Sequence, residues 1–139
     1  MANAAVHAAA NAARRTVLLV EDSAGDILLI LQALADNRRD VLLKIAVDGE
    51  QALQMLSDPD FQPAFIILDL NIPKIPGNIV LERRRSAGTP IIVFSSCGDE
   101  GEIARALRLG AREYVQKPAD LDAYSEVVRG MFEKWAAPA

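Results

Sequence analysis

Residues Phe65-Ile66-Ile67-Leu68-Asp69-Leu70-Asn71-Ile72-Pro73 set a continuous apolar run directly before an acid, turn-forming residues and a proline. A run this rich in Ile and Leu, without polar alternation, reads as a strand covered on both faces, the condition of a strand inside a parallel sheet. Open parallel sheets place ligands and chemistry just past the carboxyl ends of their strands. Asp69 therefore stands at the lip of a hydrophobic sheet, on its reactive side. An acid closing a strand in a turn is the plain structural alternative, and Asp69 alone does not decide between them.

The same grammar recurs along the chain. Thr16–Val20 is a second buried-strand pattern, ending in Glu21-Asp22, and Ile27, Leu28, Ile30, Leu31 and Leu34 then repeat at helical spacing. Val41–Val47 reads as a strand, followed by a helix with Asp48 as N-cap and Gln51 three residues on. Ile79–Arg85 is a short helix broken at Thr89-Pro90, and Ile91–Phe94 is a fourth strand ending in Ser95-Ser96. Asp99 and Glu102 form a second capping box, Glu113–Gln116 is the fifth strand, and Asp120 caps a helix running to Trp135. Strand and helix alternate five times across short connections. This predicts an α/β, flavodoxin-like, doubly wound parallel sheet of (βα)5 form with strand order 2-1-3-4-5.

At 139 residues with 51% apolar content the chain has room for one core. Residues 1–15 read as an Ala-rich arm carrying the lone His7, and 16–139 as one domain with an extended C-terminal helix. A net charge of −4 argues against a nucleic-acid surface. No apolar run reaches membrane-span length, the arm lacks the apolar centre of a secretory signal, and a single cysteine, Cys97, suits a reducing cytoplasm.

In the 2-1-3-4-5 order, strands one, three, four and five are neighbours. Their carboxyl ends carry Glu21 and Asp22, Asp69, Ser95, and Lys117. Three carboxylates in one shallow site repel each other unless a cation sits among them. An all-oxygen set without clustered His or Cys favours Mg²⁺. Magnesium readily takes phosphate oxygens as further ligands, which makes the lysine and the hydroxyl the remaining partners of a phosphoryl group. Each feature alone is ordinary, and their joint placement at neighbouring strand ends is what points to a site.

The stretches "LLVEDS", "IILDLNIPKIPG", "PIIVFSS" and "GAREYVQKP" resemble the receiver domain of bacterial two-component response regulators, over residues 16 to about 130. The resemblance implies that Asp69 is the phosphoacceptor. Glu21 and Asp22 would bind Mg²⁺ together with Asp69 and the backbone carbonyl of Asn71. It further implies that Ser95 is the switch hydroxyl, Tyr114 the rotating aromatic, Lys117 the phosphoryl contact, and Pro118 the residue after a cis peptide bond. Pro76 departs from the Asp usual before the glycine, and the third helix is short. The stretches "VEDSAGDILLI" and "LDAYSEVVRGMFEKW" look like the stand-alone receivers that partner phytochrome-type kinases, implying a bacteriophytochrome as one candidate sensor histidine kinase.

No output domain is legible after the receiver pattern, so the expected output is binding. Tyr124, Val128, Met131 and Trp135, with Phe132, form a wide apolar stripe on the last helix. The stripe reads as a homodimer face, together with the fourth helix and fifth strand. Core packing of the inner turns is the alternative. Two other functions compete. A haloacid-dehalogenase-type phosphatase needs a second acid two residues past its nucleophile, where this chain has Asn71. A pseudo-receiver that only binds would not need the full set of acids and Lys117.

Overall fold

The computed structural model describes residues 15–37 and 40–136. The arm expected at residues 1–15 therefore lies outside the described residues except for Arg15, which opens the first strand. Strands β1 (Arg15–Val20), β2 (Val41–Ala46), β3 (Phe65–Leu68), β4 (Ile91–Ser95) and β5 (Glu113–Gln116) alternate with helices α1 (Ala24–Asp36), α2 (Gly49–Leu56), α3 (Gly77–Arg84), α4 (Glu100–Arg108) and α5 (Leu121–Trp135). All strand pairs are parallel, in the order β2-β1-β3-β4-β5. The fold is the flavodoxin-like one that the sequence predicts.

Alternation within the central strands divides the core into two layers. Val17, Leu19, Phe65, Ile67, Ile92 and Phe94 pack on the side of α1 and α5. Leu18, Val20, Ile66, Leu68, Ile91 and Val93 pack on the side of α2, α3 and α4. Every residue of β3 and β4 is buried, which explains their unbroken apolar runs. The edge strand β2 instead exposes Leu42 and Lys44.

Helix starts follow the predicted caps, with two differences. Asp48 Oδ1 accepts the Gln51 N–H at 2.7 Å, and Gln51 Oε1 returns to the Val47 N–H at 2.8 Å. Asp99 likewise accepts the Glu102 N–H at 3.0 Å, but Glu102 does not complete the box. Its carboxylate goes to the Tyr114 hydroxyl instead. The third helix starts at Gly77, two residues earlier than the apolar spacing predicts, with no side-chain cap at Pro76. Gly77 is required by space rather than conformation: a Cβ there would meet Leu70 Cα at 2.6 Å and the Asp69 carbonyl oxygen at 2.9 Å. The backbone after Asp69 thus rests directly on the start of α3.

All of the expected dimer stripe except Trp135 is core. Tyr124, Val128, Met131 and Phe132 are buried against β3, β4 and α1, with Phe132 fully enclosed and its ring edge-on to Phe65 at 5.3 Å. The reach of the sheet explains this. A 15-residue helix is about 22 Å long and a six-residue strand about 20 Å, so α5 covers the sheet from end to end. Trp135 is half-buried, with its indole N–H 3.4 Å from Glu113 on the edge strand of its own chain.

Candidate functional site

The ladder brings the strand ends level. Val20 of β1 and Leu68 of β3 are register partners, so Glu21 and Asp69 leave the sheet side by side, and the Asp69 N–H still donates to the Val20 carbonyl at 3.0 Å. On the far side Ser95 pairs with Gln116, and the Lys117 N–H donates to the Ser95 carbonyl at 2.7 Å. The last ladder bonds therefore aim Glu21, Asp69 and Lys117 at one point.

Oxygens of Glu21, Asp22 and Asp69 lie within 4.8 Å of one another. Glu21 and Asp69 are buried, and Asp22 is exposed at the mouth. Three convergent carboxylates without a soft ligand suit a hard divalent cation such as Mg²⁺, and the residues present fit that ion. Asn71 meets Asp69 through its backbone N–H, which donates to Asp69 Oδ1 at 3.0 Å.

The Lys117 ammonium is nearly enclosed and lies 2.8 Å from Glu21 Oε2 and 3.3 Å from Asp69 Oδ2. Burial alone would lower its pKa. The hydrogen bond to Glu21 and the charges of Asp69, Glu21 and Asp26 outweigh burial and hold it above the ordinary lysine value. Glu21 moves the other way from most paired acids. Burial first, then the nearby Asp69 charge, raise it, the Lys117 bond only partly offsets them, and it stands at about 7.

Ser95 is fully buried at the end of β4, its Oγ accepting the Cys97 N–H at 3.3 Å. The Tyr114 hydroxyl lies 2.8 Å from the Cys97 carbonyl oxygen and 2.9 Å from Glu102 Oε2, so two acceptors share its single proton. Burial first, then the Glu102 contact, push Tyr114 up to about 12 against a lowering contact from Ser95.

One expectation fails and one residue is new. There is no cis peptide bond among the described residues, so Lys117-Pro118 is trans. Trans is the intrinsically preferred form of an X–Pro bond, and Lys117 reaches both acids with the bond in that form. The new residue is Asp26, whose Oδ2 lies 3.3 Å from the Lys117 ammonium. Its position carries a signal: four residues past Asp22, in the first turn of α1, it overhangs the same end of the sheet. The Ser23-to-Asp26 spacing also suits a capping box, and the Ser23 half is made, with Oγ accepting the Asp26 N–H at 3.3 Å.

The family model for the response regulator receiver domain matches residues 17–129, and the chain belongs to that family. Among solved structures, the phosphorylated cyanobacterial phytochrome response regulator RcpA is similar with a TM-score of 0.85 and 32% identity, covering 91% of this chain and 97% of that one. The Mn²⁺-bound response regulator Rcp1 follows with a TM-score of 0.82 and 28% identity, covering 90% and 96%. Among curated relatives, protein-glutamate methylesterase/protein-glutamine glutaminase 1 of Myxococcus xanthus is 35% identical over 105 residues, 74% of this chain and 30% of that protein. The chain thus spans about a third of the length of the curated relatives it matches first.

Proposed function

We propose that the Asp69 carboxylate takes a phosphoryl group from a phosphohistidine on a sensor histidine kinase. The bond from histidine nitrogen to phosphorus breaks as the bond from the carboxylate oxygen forms. The observation that carries this reading is the enclosed Lys117 ammonium, 3.3 Å from Asp69 Oδ2 and 2.8 Å from Glu21 Oε2, set against the gathered oxygens of Glu21, Asp22 and Asp69. Phosphoryl transfer asks a protein mainly for position and for positive charge near the equatorial oxygens. Glu21, Asp22 and Asp69, with the Asn71 backbone carbonyl, would hold Mg²⁺, which supplies charge neutralisation when bound. Lys117, already in contact with Asp69 Oδ2, orients and neutralises the phosphoryl group.

The modification adds roughly −1.5 to −2 of charge at Asp69. The hydroxyl that answers it is that of Ser95, buried at the end of β4, the strand paired with β3. Tyr114 follows only by giving up its contacts to the Cys97 carbonyl and Glu102, which ties the site to the α4 side of the fold. The chemistry assigned to these residues is the chain's own phosphorylation and dephosphorylation, in the cytoplasm, with a protein partner rather than nucleic acid. Its likeness to RcpA, a phytochrome response regulator, supports a phytochrome-type kinase as the donor. For a homodimer, the α4–β5–α5 face offers the exposed Leu107 and the half-buried Trp135 rather than the buried stripe. Sedimentation at tens of micromolar checks it, and a monomer with and without a phosphoryl analogue would rule that face out.

The test is phosphotransfer from a panel of purified sensor kinases that includes a phytochrome-type kinase. Rapid transfer from at least one, and fastest from the phytochrome-type, is expected. Transfer from none would overturn the reading.

Metal binding carries its own pH signature. Below about 7 Glu21 keeps its proton, and a cation requires the charged carboxylate, so proton and metal compete. Mg²⁺ affinity should rise from about pH 6 to about pH 8, by at most about tenfold per unit below 7, with protons released on binding. Titration calorimetry in two buffers of different ionisation enthalpy reads both effects. A flat affinity without proton release would contradict the assignment of Glu21.

A further inference from the structure

Among the described residues, Lys117 has one acid partner outside the carboxylate cluster. Asp26 sits on the first turn of α1, with Oδ2 3.3 Å from the Lys117 ammonium. Its other oxygen, Oδ1, accepts the Tyr124 hydroxyl at 2.6 Å. Tyr124 is itself 4% exposed, and its ring packs edge-on to Phe94 at 5.3 Å. A buried ring on α5 therefore pins the carboxylate, and the carboxylate in turn holds the ammonium. Burial would raise Asp26, but the Tyr124 bond and the Lys117 charge outweigh it and keep the acid ionised below its ordinary range.

Glu21 and Asp69 serve the site in any receiver chemistry, whereas Asp26 does not touch the reacting atoms. Each carboxylate that Lys117 retains reduces the positive potential it offers to a phosphoryl group. We propose that Asp26, fixed by the Tyr124 hydroxyl, is a positioning residue that draws the Lys117 ammonium toward α1 and so slows phosphorylation of Asp69. This inference rests on Asp69 being the phosphoacceptor. It makes the packing between α1 and α5 a determinant of how fast the site loads.

The experiment measures the second-order rate constant of labelling by acetyl phosphate in the full chain with Mg²⁺ present. The variants are Asp26→Asn, Tyr124→Phe and the pair combined, each checked by thermal melting. Asp26→Asn keeps the size of the side chain and an oxygen for Tyr124, and should label about three- to tenfold faster. Tyr124→Phe frees the carboxylate to turn toward water, with an expected gain of about two- to threefold in the same direction. The double variant should match Asp26→Asn alone, because both act through one carboxylate. Before any donor is added, the ¹⁵N resonance of the Lys117 ammonium should shift in Asp26→Asn, a readout that a purely structural role would leave in place. A labelled wild type whose rate is unchanged or slower in Asp26→Asn overturns this proposal alone, as do effects that multiply in the double variant. A wild-type chain that takes no label overturns it together with the phosphoacceptor reading.

Discussion

Asp69→Asn should end phosphoryl labelling by kinase or small donor, a loss of at least about a hundredfold, because a carboxamide is no nucleophile toward phosphorus. The fold should not suffer. Asn keeps an oxygen for the Asn71 N–H that Asp69 Oδ1 now accepts, and Lys117 keeps Glu21 and Asp26 as partners. Removing one of three crowded carboxylates also relieves Glu21, whose raised pKa owes part of its rise to the Asp69 charge. At neutral pH the melting temperature should therefore hold or rise. Thermal melting and mass spectrometry on the same sample decide it. Labelling at the wild-type rate would refute Asp69, and loss of labelling with loss of fold would leave the variant uninformative about chemistry but contradict the stability argument.

Phe132→Ala should cost about 3–5 kcal/mol, the usual range for emptying a buried aromatic site. Phe132 is fully enclosed and meets Phe65 edge-on at 5.3 Å, so the cavity opens where α5 crosses the start of β3. Against a total stability of about 5–15 kcal/mol for such a domain, that is a large fraction. A urea titration should show a lower midpoint that does not depend on protein concentration. Unchanged monomer stability combined with a lost dimer would restore Phe132 to an interface.

The sequence made the sheet legible because a parallel sheet buried on both faces has no choice but to write itself as apolar runs. Phe65–Leu68 and Ile91–Ser95 are wholly buried, and Phe65–Leu68 and Ile91–Phe94 run without a polar break. The site was legible for a related reason: once strand order is known, residues one step past the strand ends must meet, and Glu21, Asp69 and Lys117 do. What escaped was whatever depends on lateral packing between helices. Period alone marks the stripe on α5 as apolar without saying whether sheet or partner covers it, and the sheet proved long enough to reach Phe132. Asp26 escaped because a helix-start acid is ordinarily read as a local cap. Its two oxygens meet Tyr124 from α5 and Lys117 from beyond β5, contacts that local spacing does not announce. Glu102 shows the same limit in reverse, a predicted capping residue claimed by Tyr114 across the loop.

We propose that the acids just past β1 and β3 and the ammonium just past β5 form a phosphoryl site centred on Asp69. Labelling the full chain with acetyl phosphate, with and without Mg²⁺, and mapping the product by peptide mass spectrometry puts this to the test. One phosphoryl group on the peptide containing Asp69, formed only when the divalent cation is present, is the predicted result. A phosphoryl group mapped to another residue, or labelling of Asp69 that is indifferent to the cation, would contradict it.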